Sequence, residues 1–179
     1  MLHALLLTLS LGSQTTGPID ITEQDLTQYV NQKAKYQQQY GLPGLFDVDL
    51  NIDTMQVRLG RQKAGMAQVQ GNGRFTLSLP GKPVIDGTIR ADFEAKPRYQ
   101  QQSGAVYLDN FTLTGYDIQP SEVQQQFAPF VSYLVQGLQS RLEQQPAYQL
   151  NTQDKDQLWL KQHVTRFELL PGKLRLHTD

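Results

Sequence analysis

Three aspartates, Asp47, Asp49 and Asp53, sit close together in one short stretch, and clustered carboxylates are what a hard cation such as calcium takes. They alternate with Val48, Leu50 and Ile52, however, so they occupy the polar side of a strand and read as a solvated face. Asp92 and Glu94, beside Arg90, form a second carboxylate pair. Acid–base hydrolysis needs such a pair in a cleft with divergent pKa values, and alternation again turns both outward. His3, His163 and His177 are scattered and lack metal-ligand spacing. The chain has no cysteine, which removes disulfides, thiolate metal sites and a cysteine nucleophile together. No nucleophile elbow, phosphate-binding loop or dinucleotide fingerprint is present. The residues therefore predict no catalytic site, no metal and no cofactor. A formal net charge of -1 also argues against nucleic acid, which demands a basic footprint.

What remains is apolar surface, and the elements that would present it follow from periodicity. Val123, Phe127, Phe130, Val131, Leu134, Leu138 and Leu142 form one stripe of a helix that starts at Ser121 and ends before Gln145-Pro146. Ser121 with Gln124 resembles a capping box, and Pro129 inside should bend the helix. An earlier helix opens at Thr22, with Asp25 completing a cap, and its pattern carries through Leu26, Tyr29 and Val30 to Tyr36 or Tyr40, where Gly41-Leu42-Pro43-Gly44 stops it.

Between the helices lie four strands. The first carries Phe46, Val48, Leu50 and Ile52, then shifts parity after Asp53-Thr54 to Met55, Val57 and Leu59, the mark of a bulge. A second runs from Met66 to Leu79, with Phe75 and Leu77 on one face. A third holds Ile85, Ile89 and Phe93, and a fourth, after a polar loop from Pro97 to Gly104, holds Val106 to Leu113. Short turns make them an antiparallel meander. A short helix near 154–163 and a hairpin about Pro171-Gly172 close the chain. At about 3.3 Å per residue the longer strands reach some 45 Å, and strand twist forbids a flat sheet of that length. The expected fold is α+β: a long coiled antiparallel meander wrapped on the long helix of the C-terminal half, with an N-terminal helix and a C-terminal hairpin. Residues 1–12, with the apolar run Ala4 to Leu11 ending at Gly12, read as an export signal, 13–20 as a linker, and 21–179 as one domain.

Several stretches resemble the YceB-like family of bacterial envelope lipoproteins, in order and in spacing. They are Ile21-Thr22-Glu23-Gln24, Gly41-Leu42-Pro43-Gly44, Gly60-Arg61, Gln119-Pro120, Tyr133-Leu134, Gln144-Gln145-Pro146-Ala147-Tyr148 and Pro171-Gly172. The resemblance implies a tubular lipid-binding (TULIP-like) fold, in which a curved sheet wraps a long helix, and it brings no catalytic residues. Family members place a lipidated cysteine after the signal. Ser13 stands near that position here, so the expectation is an exported periplasmic or envelope-associated protein without a thioether-linked lipid anchor.

The expected function is non-catalytic binding of a lipid or another apolar small molecule in a tube between helix and sheet. Its expected lining is Val48, Leu50, Phe75, Leu77, Ile89 and Phe93 from the meander and Phe127, Val131, Leu134 and Leu138 from the helix. Arg58, Arg74 and Arg90, on the opposite strand face, are candidate contacts for anionic headgroups of a membrane surface. The alternative is a filled-core module that binds another envelope protein. Neither the oligomeric state nor the ligand is legible in the chain.

Overall fold

Alternating apolar residues build a large sheet first. The computed structural model describes residues 17–33 and 36–178. In it, β2 (Tyr36–Leu42), β3 (Phe46–Leu59), β4 (Ala67–Ser78), β5 (Ile85–Gln100), β6 (Ala105–Gln119) and the two-residue β7 (Tyr148–Gln149) hydrogen-bond in that order into one six-stranded antiparallel sheet. The helix α2 (Ser121–Gln144) lies on its concave face. β1 (Ile19–Thr22), β8 (Val164–Leu170) and β9 (Lys173–Thr178) form a second sheet, ordered β1-β9-β8, attended by α1 (Glu23–Lys33) and α3 (Lys155–His163). The α+β class and the curled sheet on a long helix are those expected.

The sheet curls because its ladders are interrupted at mid-length. β3 slips register between Ile52 and Thr54, where the parity change placed a bulge. β5 and β6 slip between Asp92 and Phe93 and again between Glu94 and Lys96, with Asn110 in a left-handed conformation (φ 54°) opposite the second slip. Gly73 serves the same bend. A Cβ there would run into the carbonyl of Asn51 on β3, so only glycine lets the two backbones approach so closely.

Four expectations are corrected. Tyr36–Leu42 is a strand, not the end of the first helix, and pairs with β3 from Tyr36 against Ile52 to Leu42 against Phe46. The turn at Pro43-Gly44 that was to stop a helix instead closes a hairpin, and hairpin pairing outweighs the weak helical spacing of the tyrosines. β5 continues through Pro97, expected in a loop, to Gln100. Past Ala95 it has lost β4 as a neighbour and pairs only with β6, so the missing N–H of Pro97 interrupts no ladder on that side. Ser121 does not cap α2: the N-cap is Pro120, with no side-chain bond. Ile19 and Asp20, which the sequence puts in a linker, open β1. The expected signal and Ser13 lie outside the described residues.

The Thr22 cap forms as expected. Thr22 Oγ1 accepts from the Asp25 amide at 3.1 Å, and the Asp25 carboxylate accepts from the Thr22 amide at 2.9 Å. α1 then acts as a substitute strand. Beyond Ile52, which faces the first residue of β2, the free edge of β3 meets three side chains of α1. Asn31 accepts from the Met55 amide and donates to its carbonyl, both at 2.7 Å. Thr27 Oγ1 accepts from the Val57 amide at 3.0 Å, and Glu23 from the Leu59 amide at 2.6 Å. The match is metric: four helical residues rise about 6 Å, and two strand residues advance about 6.6 Å.

The side chains pack in two clusters, one toward each end of the long strands. The upper cluster joins Phe46, Val48, Phe75, Leu77 and Ile118 to Val123, Phe127 and Leu134 of α2. The lower joins Val57, Leu59 and Ala67 to Ile19, Val164, Leu174 and Leu176 of the small sheet, with Leu26 and Val30 of α1 against it. At the lower end three of the stretches that carry the resemblance meet. Arg61 forks onto Glu23, with its Nη2 2.8 Å from Oε2, the Glu23 amide donates to the Gly172 carbonyl at 3.2 Å, and the Gly172 amide donates to the Leu59 carbonyl at 2.9 Å.

Candidate functional site

From β3 to β6 the positions that turn to the concave face are Phe46, Val48, Leu50, Ile52, Met55, Val57 and Leu59; then Ala67 to Leu77 and Ile85 to Tyr99 at alternate residues; then Val106, Leu108, Phe111, Leu113, Tyr116 and Ile118. These positions carry no carboxylate, histidine, lysine or arginine. The tyrosine hydroxyls are the only polar groups that their side chains bring to this wall.

α2 closes the concavity. It leaves β6 at Ile118 and turns back along it, and its Gln139 amide nitrogen donates to the Phe111 carbonyl at 2.8 Å. Near its start Phe127 packs on Phe75 with centroids 4.5 Å apart, and Phe130 on Phe46 at the same separation. The Phe75 ring lies across β5 because position 87 is glycine, where a Cβ would come within 2.6 Å of that ring.

The ten expected lining residues divide by position. Val48, Phe75, Leu77, Phe127 and Leu134 are buried on one another in the upper cluster, and Leu50, Ile89 and Val131 pack against it, half-buried. Phe93 lies further along, stacked on Phe111 at 4.9 Å, and Leu138 is half-buried on the later part of α2. Eight of the ten thus meet in one cluster.

Between the clusters the wall changes character. Leu50, Ile52, Met55, Ile89, Phe93, Phe111, Leu113 and Tyr116 all face inward at mid-sheet, yet each is only half-buried, as are Leu138 and Leu142 of α2. Gly71 lies at the centre of this stretch, opposite Met55 on one side and Ala91 on the other. It is buried, but a Cβ built on it would meet nothing within 4 Å. The middle of the concave face is thus an apolar trough with room above its floor. Gly71 and Gly73 are the residues that sequence reasoning missed. Two glycines in Gln70-Gly71-Asn72-Gly73, inside an alternating strand, were the available signal of a close approach or a space left for something else.

The convex face is polar. Arg74 forks onto Asp53 at 2.9 and 3.0 Å, and the guanidinium holds the Asp53 carboxyl below the usual carboxylate range. Arg90 lies 4.0 Å from Asp92, and Arg58 donates to Gln56 at 3.4 Å. Arg74 and Arg90 are diagonal neighbours, whereas Arg58 stands opposite Gln68, six residues along β4 from Arg74 and so about 20 Å away. A convex-face groove of about 310 Å³ is lined there by Gln56, Arg58, Gln68, Gln70 and Asp92, among others. Asp47 accepts from Gln39 at 2.7 Å, and Asp49 is exposed. His163 stacks on Trp159, and His177 Nε2 lies 2.7 Å from Glu168. Among the described residues no three acidic, histidine or cysteine side chains gather as a metal site, and no helix is long and apolar enough to cross a membrane.

Comparison with known proteins agrees with the resemblance read from the motifs. Residues 21–173 match the family model described as a protein of unknown function, DUF1439. The chain is 25% identical over 168 residues to the uncharacterized lipoprotein YceB of Salmonella typhimurium (strain LT2), across 93% of this chain and 89% of that protein. The uncharacterized lipoproteins YceB of Escherichia coli (strain K12) and Shigella flexneri are each 24% identical over the same shares.

Proposed function

The chain belongs to the DUF1439 family, and from that premise we propose that it is a non-catalytic protein of the cell envelope that holds a lipid or another apolar molecule between α2 and the concave face of the large sheet. Its main support is the incompletely buried apolar wall at mid-sheet, floored by a glycine with open space above it. In a filled core, inward-facing leucine, isoleucine and phenylalanine at the centre of a sheet would be buried on one another. The ligand wall is then Leu50, Ile89, Phe93, Val131 and Leu138, and the buried group around Phe75 and Phe127 is the packed end against which a chain abuts. A carbon wall without charges suits an acyl chain, each buried methylene of which contributes about 0.8 kcal/mol. It sets little demand on the headgroup. An envelope location follows from the relatives, which carry the name of lipoproteins.

Native mass spectrometry of the protein purified from cells tests this, with Gly71→Phe as the variant that occupies the trough. Wild type should carry an apolar adduct that the variant, equally folded by circular dichroism, lacks. Wild type that carries no adduct and takes up no added fluorescent fatty acid would favour a filled-core module that binds another envelope protein.

A further inference from the structure

Four large hydrophobic side chains are exposed among the described residues: Leu45 at 64%, Val84 at 57%, Tyr133 at 38% and Leu42 at 36%. They are far apart in sequence, yet register gathers them at one end of the molecule. Leu42 and Leu45 belong to the β2–β3 turn, closed by the Leu45 amide on the Leu42 carbonyl at 2.9 Å. Val84 ends the β4–β5 turn, closed by the Lys82 amide on the Leu79 carbonyl at 3.1 Å. The two turns are adjacent, since Asp47 pairs with Ser78 and Leu77 with Ile85. Tyr133 reaches the same end from α2, its ring edge-on to Phe46 at 5.3 Å. A shallow groove of about 490 Å³ lies there, lined mainly by Leu42, Pro43, Leu45, Phe46, Leu79 and Pro80.

We propose that this tip docks on the surface of an anionic phospholipid bilayer, with the two turns inserting their aliphatic side chains beneath the headgroups. Two features favour a bilayer over a protein partner. Three aliphatic side chains projecting from two tight turns, with Tyr133 of α2 beside them, are far fewer than the roughly 20–30 residues per side of a standard protein interface, but each aliphatic side chain can enter lipid alone. Lys82, exposed at the apex of the second turn, makes no ion pair among the described residues. Its stem can follow the apolar side chains while its ammonium stays with the phosphates. The tip is also continuous with the interior: Phe46 lines the groove and belongs to the upper cluster. This places the membrane contact at the end of the molecule, not on the convex face of Arg58, Arg74 and Arg90.

Co-sedimentation with phosphatidylglycerol–phosphatidylcholine vesicles tests the proposal on the full chain. Wild type should sediment with them. The double variant Leu45→Asp/Val84→Asp should bind on the order of tenfold or more weakly, given what exposed aliphatic burial contributes, with an unchanged melting temperature. Lys82→Glu should weaken binding at low salt and little at high salt. Gly71→Phe blocks the trough but leaves the tip intact, so it should bind as wild type does; that separates failure here from failure of the ligand reading. Wild type that stays in the supernatant, or a double variant that sediments equally well, would overturn the proposal. So would wild type that self-associates through the tip in sedimentation velocity, which would make it an interface between copies of the chain.

Discussion

Gly71 and Gly73 stand two residues apart on the same strand face and should respond in opposite ways. A side chain at 71 enters open space, and a β-branched one there also removes the backbone freedom that makes glycine cost about 0.5–1 kcal/mol in a strand. Gly71→Val should therefore leave the melting temperature unchanged or raise it. Gly73→Ala pushes a Cβ into the Asn51 carbonyl, which cannot move without shifting β3, and should destabilise by about 1–3 kcal/mol. Thermal melts of the two variants compare them directly, and equal losses would mean that the trough is not open. Leu134→Trp belongs with Gly73→Ala, because Leu134 is buried among the packed side chains of the upper cluster. At this scale the sequence was informative about side and not about filling. Alternation identified Val48 and Phe75 as inward and helical spacing identified Phe127, but whether inward residues touch one another depends on how far α2 stands off the sheet. No single residue encodes that distance.

Elements were legible where their signals were strong. The stripe of α2, the Thr22 cap and the bulge at Asp53-Thr54 are all present, because each rests on local chemistry that tertiary context does not override. β2 was not, since Gln37-Gln38-Gln39 has no alternation of its own and becomes a strand by pairing with β3. Nor could α1 be foreseen as an edge cover, because Glu23, Thr27 and Asn31 acquire meaning only against Leu59, Val57 and Met55. Thr27→Val should cost about 1 kcal/mol, the net worth of one hydrogen bond, readable as a lower urea midpoint. The lower end also has a pH signature. Arg175 and Lys173 donate to Asp20 at 2.7 and 2.6 Å and hold its carboxyl well below the usual carboxylate range, and Arg61 does the same to Glu23. A carboxyl whose folded pKa is depressed contributes stability above its unfolded pKa, and that contribution fades as pH falls toward the folded value. The melting temperature should therefore decline as pH drops below about 4. Asp20→Asn should flatten part of that decline while lowering the plateau near neutrality. A variant with the wild-type acid slope would show that the ion pair contributes nothing.

At the scale of the molecule, two clusters share one set of long strands, and the trough lies between their buried parts. Amide exchange should resolve them as two units, with slow exchange at both ends of β3 and β4 and faster exchange near Gly71. Uniform protection along β4 would argue for a single filled core. The lower unit depends on its last strand: β9 sits between β1 and β8, with Ile19 opposite Leu176 and Thr22 opposite Lys173. A chain ending at Leu170 should therefore lose protection across residues 19–33 while α2 keeps its own. The same pairing sets an order in time. Residues 19–22 emerge from any machine that makes or threads the chain long before their partners at 173–176. Until then β1 has no neighbour, and contacts at such sequence separation form slowly. The early segment must wait unpaired, a natural opening for a holding chaperone, and the lower end is completed only once residues 173–176 have emerged.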